Sequence, residues 1–71
     1  MTVADGFATP SEAALAGFPK RYARVADVTF SEDGDEATVE LLTNEEPTLY
    51  PYFSHCVRDG NGRWHETHSH N

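Results

Sequence analysis

Between Tyr22 and Phe30 apolar and polar residues alternate with a period of two, placing Ala26, Val28 and Phe30 on one side and Val25, Asp27 and Thr29 on the other. That period is the mark of a strand with one buried face. Asp33-Gly34 then supplies a two-residue hairpin turn, because Gly accepts positive φ and Asp tolerates it. With those two residues as the loop, Phe30 faces Ala37, Val28 faces Val39 and Ala26 faces Leu41, while Thr29 faces Thr38 and Asp27 faces Glu40. A slip of one residue would mix the two faces, so the pattern supports this register. Asp27 opposite Glu40 is a small like-charge liability.

Ahead of this hairpin the pattern is helical. Thr9-Pro10-Ser11-Glu12 places Thr at an N-cap, Pro at the first helical position and Glu three residues after the cap, from where it can reach back to the cap amide. Ala13, Ala14, Leu15 and Ala16 continue the helix. Gly17 ends it by tolerating a left-handed cap, and Phe18-Pro19 cannot extend it. A helix of about two turns needs packing to persist, and Leu15, with Phe7 or Phe18, is its expected anchor. Residues 1–8 carry no period and are expected to be disordered, so the predicted domain spans residues 9–71.

After the polar loop Thr43 to Thr48, a third strand is predicted from Leu49 to Arg58, with its first part at an edge or a bulge because Pro51 cannot donate to a ladder. A fourth should run from Arg63 to Ser69. The predicted fold is α+β: one short N-terminal helix packed on a four-stranded antiparallel meander (αββββ).

At 71 residues the core of such a domain is thin, and a metal or a partner subunit often supplies missing stability. A single cysteine excludes an intramolecular disulfide. No stretch approaches the roughly 18 apolar residues of a membrane span, and Met1-Thr2-Val3-Ala4-Asp5-Gly6 lacks the basic start and apolar run of a signal peptide. The expected setting is therefore cytoplasmic, which suits a free thiol. The formal net charge is −7, from 12 acids against 5 bases, and between Asp27 and Glu46 there are eight acids and no Lys or Arg. Phosphates would be repelled, so direct nucleic-acid binding is not expected and the partner is a protein or a second copy of the chain. Glu32, Asp33, Asp35 and Glu36 could contact a basic site on an enzyme, as in an acidic inhibitor or immunity-type protein, or simply keep the chain soluble.

Chemistry concentrates at the far end. All four histidines, His55, His65, His68 and His70, lie in the last 17 residues beside the only cysteine, Cys56, and the only tryptophan, Trp64. They belong to a hairpin turning at Asp59-Gly60-Asn61-Gly62. If those four residues form the connection, Val57 pairs with Trp64, Cys56 with His65, His55 with Glu66 and Phe53 with His68. If Asn61-Gly62 alone is the loop, His55 pairs with His68. Under either register His55, Glu66, His68 and His70 cluster on one face, a candidate divalent-metal site with zinc the expected ion, because His-x-His presents two imidazoles to one side of a strand. The alternative is a polar strand end with half-exposed histidines. The first register also sets Cys56 beside His65, a candidate activated thiol, against the plainer reading of cysteine as a small buried hydrophobe. Trp64 with Val57, Phe53 and Leu49 reads as the core of the hairpin face. On the opposite, uncovered face Val25, Leu42, Tyr50 and Tyr52 are expected to form an apolar patch for a partner or a twin subunit.

The run Cys56-Val57-Arg58-Asp59-Gly60-Asn61-Gly62-Arg63-Trp64-His65-Glu66, closing at Ser69-His70-Asn71, resembles the last hairpin of small nuclear-transport-factor-like (cystatin-like) α+β domains, where a turn-Gly-x-Trp motif precedes a final strand. The whole chain also resembles short proteins of high-GC actinobacteria. The hairpin resemblance implies that Trp64 is a core residue. The long N-terminal helices that build a conical pocket in those folds have no counterpart in these residues, so no ligand-binding or catalytic role carries over. The chain as a whole reads as an acidic, non-catalytic interaction module and a homodimer through its open sheet face, since a domain this small encloses little of the roughly 300 Å³ that small-molecule pockets need. A small metal-binding protein and an acidic inhibitor are the alternatives.

Overall fold

A computed structural model describes residues 6–19 and 21–71. It contains α1 (Pro10–Ala16), β1 (Tyr22–Phe30), β2 (Glu36–Thr43), β3 (Tyr52–Arg58) and β4 (Trp64–His70), with the strands in one antiparallel sheet of order β1-β2-β3-β4. The predicted αββββ meander is the observed fold. Among the described residues no helix is long and apolar enough to cross a membrane.

The helix begins as its capping residues dictate. Thr9 is extended and its hydroxyl oxygen accepts from the Glu12 amide at 3.2 Å, with Pro10 in the first turn. The Glu12 carboxylate reaches back to the Thr9 hydroxyl at 3.1 Å, not to the cap amide. Gly17 closes the helix in a right-handed conformation, φ −91° and ψ 0°, so the expected left-handed cap is absent. Its missing side chain serves close approach instead: a Cβ there would lie 2.8 Å from Glu66 Oε1.

The helix lies on one face of the sheet and buries Ala13 and Ala14 against Ala37, Val39, Leu41, Cys56 and Trp64. Leu41 and Val39 are wholly inaccessible, and Leu15 and Phe18 pack at the margin. Phe18, Tyr22 and Tyr52 close one end of this core with ring centroids 5.0–6.0 Å apart. Trp64, against Phe30 at 5.9 Å, closes the other. The N-terminal segment joins the sheet before the helix starts, since Phe7 and Trp64 exchange both backbone hydrogen bonds, at 2.9 and 2.7 Å. Phe7 thus lies against the end of β4, and the expectation for residues 1–5 lies outside the described residues.

The first hairpin keeps the predicted pairing from Phe30 opposite Ala37 to Asp27 opposite Glu40. A bulge then leaves Ala26 unpaired, and Val25, not Ala26, meets Leu41. The extra residue turns Val25 toward the helix, where a larger side chain fills the core better than alanine. β3 starts at Tyr52 rather than Leu49, just past the proline that cannot join the ladder.

Candidate functional site

The last hairpin differs from both expected registers. Its turn hydrogen bonds run from the Gly62 amide to the Asp59 carbonyl and from the Asp59 amide to the Arg63 carbonyl, and Gly62 takes φ +77°. A left-handed Gly after a tight turn makes an odd-numbered loop, so Arg58 pairs with Trp64, Val57 with His65 and Cys56 with Glu66. The Asp59 carboxylate holds this loop together, accepting from the Asn61 amide at 2.8 Å, the Arg63 amide at 3.0 Å and His65 Nε2 at 2.7 Å. The Arg63 amide, then the His65 ring, hold the Asp59 carboxyl below its ordinary value.

A second irregularity follows at once. Between Cys56 and His55 the register shifts, so Thr67 is the extra residue and His55 stands opposite His68. In such a bulge the two residues on the long strand and the one opposite share a face, which here brings His55, Thr67 and His68 to the side away from α1. Beyond it Phe53 pairs with His70 and Ser54 with Ser69.

The result is a block of rings on the outer face. His55 and His68 lie nearly parallel, 15° apart with centroids at 4.4 Å. His70 sits between His55, at 5.0 Å, and Phe53, at 5.6 Å. His55 Nε2 and His70 Nε2 are 2.9 Å apart, a distance that requires one shared proton. On the other side of His55, its Nδ1 contacts the Thr38 hydroxyl of β2 at 3.2 Å. The Thr67 hydroxyl lies 3.0 Å from the His55 carbonyl, to which it can donate, and 3.0 Å from His68 Nδ1, where the donor depends on the tautomer of the ring. Partial burial, then the neighbouring His68 and His70, lower the pKa of His55. Beside the block a shallow depression of about 250 Å³ is lined by Thr29, Thr38, Val57 and Thr67 with His55 and His68.

Three of the four predicted metal ligands, His55, His68 and His70, are thus brought together, but Glu66 is not. The bulge leaves Glu66 on the helix side, where it accepts from the buried Ser54 hydroxyl and abuts Gly17. As the side chains stand, no group of three or more His, Cys, Asp or Glu among the described residues is arranged as a metal centre.

The proposed thiol pair is separated. Cys56 points into the core at 1% exposure, its Sγ directed at the Pro10 carbonyl at 3.8 Å, and burial pushes its pKa up. His65 lies opposite Val57 and is engaged with Asp59. The Val25, Leu42, Tyr50 and Tyr52 patch does not form on the open face. Val25 and Tyr52 pack on the helix-side core, Tyr50 is 69% exposed in the loop before β3, and Leu42 alone is left on the outer face. Trp64 is a core residue, but among Ala37, Cys56 and Phe30, because the odd loop puts Val57 and Phe53 on the opposite side from it. Of the hairpin acids, Asp35 pairs with Arg58, and Asp33 accepts from the Ser31 hydroxyl at 2.6 Å, which with the Asp35 amide lowers its pKa. Glu32 and Glu36 are exposed.

Thr38, Thr67 and Phe53 were not singled out in the sequence as parts of this site. Phe53 is legible there as a same-face neighbour two residues from His55, whereas Thr38 enters through the β2–β3 pairing and Thr67 only through the bulge. No protein-family model, curated protein or solved structure matches this chain.

Proposed function

We propose that this protein is a small, non-catalytic interaction module in a cytoplasmic setting, and that it pairs with a second copy of itself through the outer face of the sheet. The observation that carries the reading is the one-sided build of the domain. The molecule is a slab with extents of 38 × 33 × 16 Å, its helix covers one face, and the other presents Phe53, Val57 and Leu42 among the histidine rings. A second sheet packed about 10 Å away would give that face the apolar layer it lacks and add burial that a chain of this length is short of. The first hairpin is a weaker candidate surface, because Asp33 and Asp35 already serve partners within the chain.

Sedimentation of untagged protein over a wide concentration range tests this. Wild type is expected to sediment as a dimer at micromolar concentration. Phe53→Asp, which buries a charge in the proposed contact and leaves the helix-side core untouched, is expected to be monomeric with unchanged circular dichroism. A wild-type monomer at every concentration, or a Phe53→Asp variant as dimeric as wild type, would overturn the reading.

A further inference from the structure

We infer that the second copy docks about a two-fold axis running along the strands, so that β1 of each chain lies over β4 of the other and β2 over β3, with Asp27 facing the partner's His70. The inference rests on the self-association proposed above and specifies its geometry and its response to pH.

The strand pairings carry it. Across the sheet from β1 to β4, Asp27, Glu40, Phe53 and His70 form one row of the outer face, and Thr29, Thr38, His55 and His68 form the next. The β1–β2 half of these rows supplies carboxylates and hydroxyls, and the β3–β4 half supplies aromatic and imidazole rings. Two symmetric arrangements set this face on itself. An axis across the strands lays β1 on β1 and β2 on β2, and acids confront acids. An axis along the strands keeps each row at its own level and reverses it: Asp27 meets the partner's His70, Glu40 the partner's Phe53 and Thr38 the partner's His55. Only the second arrangement is complementary in charge. Aligned sheets cross at about 30°, which displaces facing edge strands by only about one residue, so the rows stay within reach.

The same arrangement answers a liability within the chain. Asp27 stands directly opposite Glu40, and its carboxylate accepts from the Val28 amide at 3.0 Å. Arg24, on the same strand, is committed to the Thr43 carbonyl and to Glu46. A cationic imidazole from the partner would relieve the repulsion between the two acids.

His70 is suited to carry that charge. Its Nε2 and that of His55 share one proton at 2.9 Å, and this bond survives the gain of one further proton by the pair. Partial burial, then His68 and His70, disfavour the charged form of His55, so the added charge sits on the His70 side, which faces the partner's Asp27. The other ionisable groups of the face lie in other rows: His68 among the threonines, Glu36 beside Val57, and His65, which is bound to Asp59. The helix lies on the opposite face. Association therefore takes up protons, and the dimer tightens as pH falls through the imidazole range.

Sedimentation equilibrium of untagged protein at pH 8.0 and 6.5 tests this. Wild type is expected to dimerise about tenfold more tightly at pH 6.5, through two symmetry-related pairs. The response should vanish in His70→Gln and persist in His68→Gln. At pH 6.5 Asp27→Lys should weaken the dimer at least tenfold, although it reduces the net negative charge and general repulsion would predict the opposite. Adding His70→Asp to Asp27→Lys should restore the dimer and abolish the pH response. Within one chain the two positions are three strands, about 14 Å, apart, so rescue must come across the interface. A wild-type dimer indifferent to pH, or a double variant no tighter than Asp27→Lys alone, would overturn this geometry and leave self-association standing. A wild-type monomer at both pH values and every concentration would overturn both.

Discussion

Gly17→Ala probes the contact between the end of the helix and the buried Ser54 and Glu66 pair. The backbone at Gly17 suits alanine, with φ −91° and ψ 0°, so chain entropy alone predicts a gain of about 0.4–1 kcal/mol. Against it stands a Cβ placed 2.8 Å from Glu66 Oε1 and 3.4 Å from its carboxyl carbon. The end of a glutamate normally yields at little cost, but this one is tethered, because Ser54 donates to its other oxygen. Ser54 is fully buried, and if Glu66 leaves, its hydroxyl keeps only a 3.6 Å contact with Cys56 Sγ. An unsatisfied buried hydroxyl costs about 1–3 kcal/mol. The net expectation is a destabilisation of about 0.5–2 kcal/mol, or a fall in Tm of about 4–8 °C for each kcal/mol in a domain of this size. In a Ser54→Ala background the tether is gone, Glu66 can turn to solvent, and the same Gly17→Ala change should be neutral or stabilising. The assay is a double-mutant cycle by urea denaturation, compared at constant m. A higher midpoint for Gly17→Ala in the wild-type background, or additivity of the two changes, would refute the tether.

Two further predictions follow from the last hairpin. Cys56, buried and with its pKa raised by that burial, should react with Ellman's reagent no faster than the domain opens, and with normal speed in denaturant; prompt reaction in native buffer would contradict the core placement. Asp59, whose pKa is lowered in the folded chain chiefly by the Arg63 amide, contributes stability that is present above the ordinary carboxylate value of about 3.9 and lost as pH falls through the lower folded value. Acid titration of the urea midpoint should therefore decline below about pH 4, and Asp59→Asn should flatten part of that decline; an identical acid limb in the variant would count against it.

What the sequence determined by itself were the features whose causes are local. The helix start at Thr9 follows from three adjacent residues that supply a hydroxyl acceptor, a preset φ and a returning carboxylate. β1 and the turn-proximal register of the first hairpin follow from a period of two and a Gly that accepts φ +79°. That three histidines share a face was also legible, since His68 and His70 are two apart and either expected pairing put His55 near them.

Only the tertiary structure decided the parity of the strands. A left-handed Gly62 converts an even loop into an odd one, and the bulges at Ala26 and Thr67 each insert one residue, at a local cost too small to leave a mark in composition. Each such step sends every later side chain on its strand to the opposite face. That is why Trp64 joined the core with Cys56 instead of Val57, why Val25 went inward, and why Glu66 went to Ser54 while His68 stayed with His55; Tyr52 faces inward because it alternates in step with Ser54 and Cys56 and pairs with buried Leu41. The choice among these near-equal local arrangements was made by packing against α1, where Val25 and Trp64 fill space that Ala26 and His65 would not, and packing is a property of the assembled sheet rather than of any one segment.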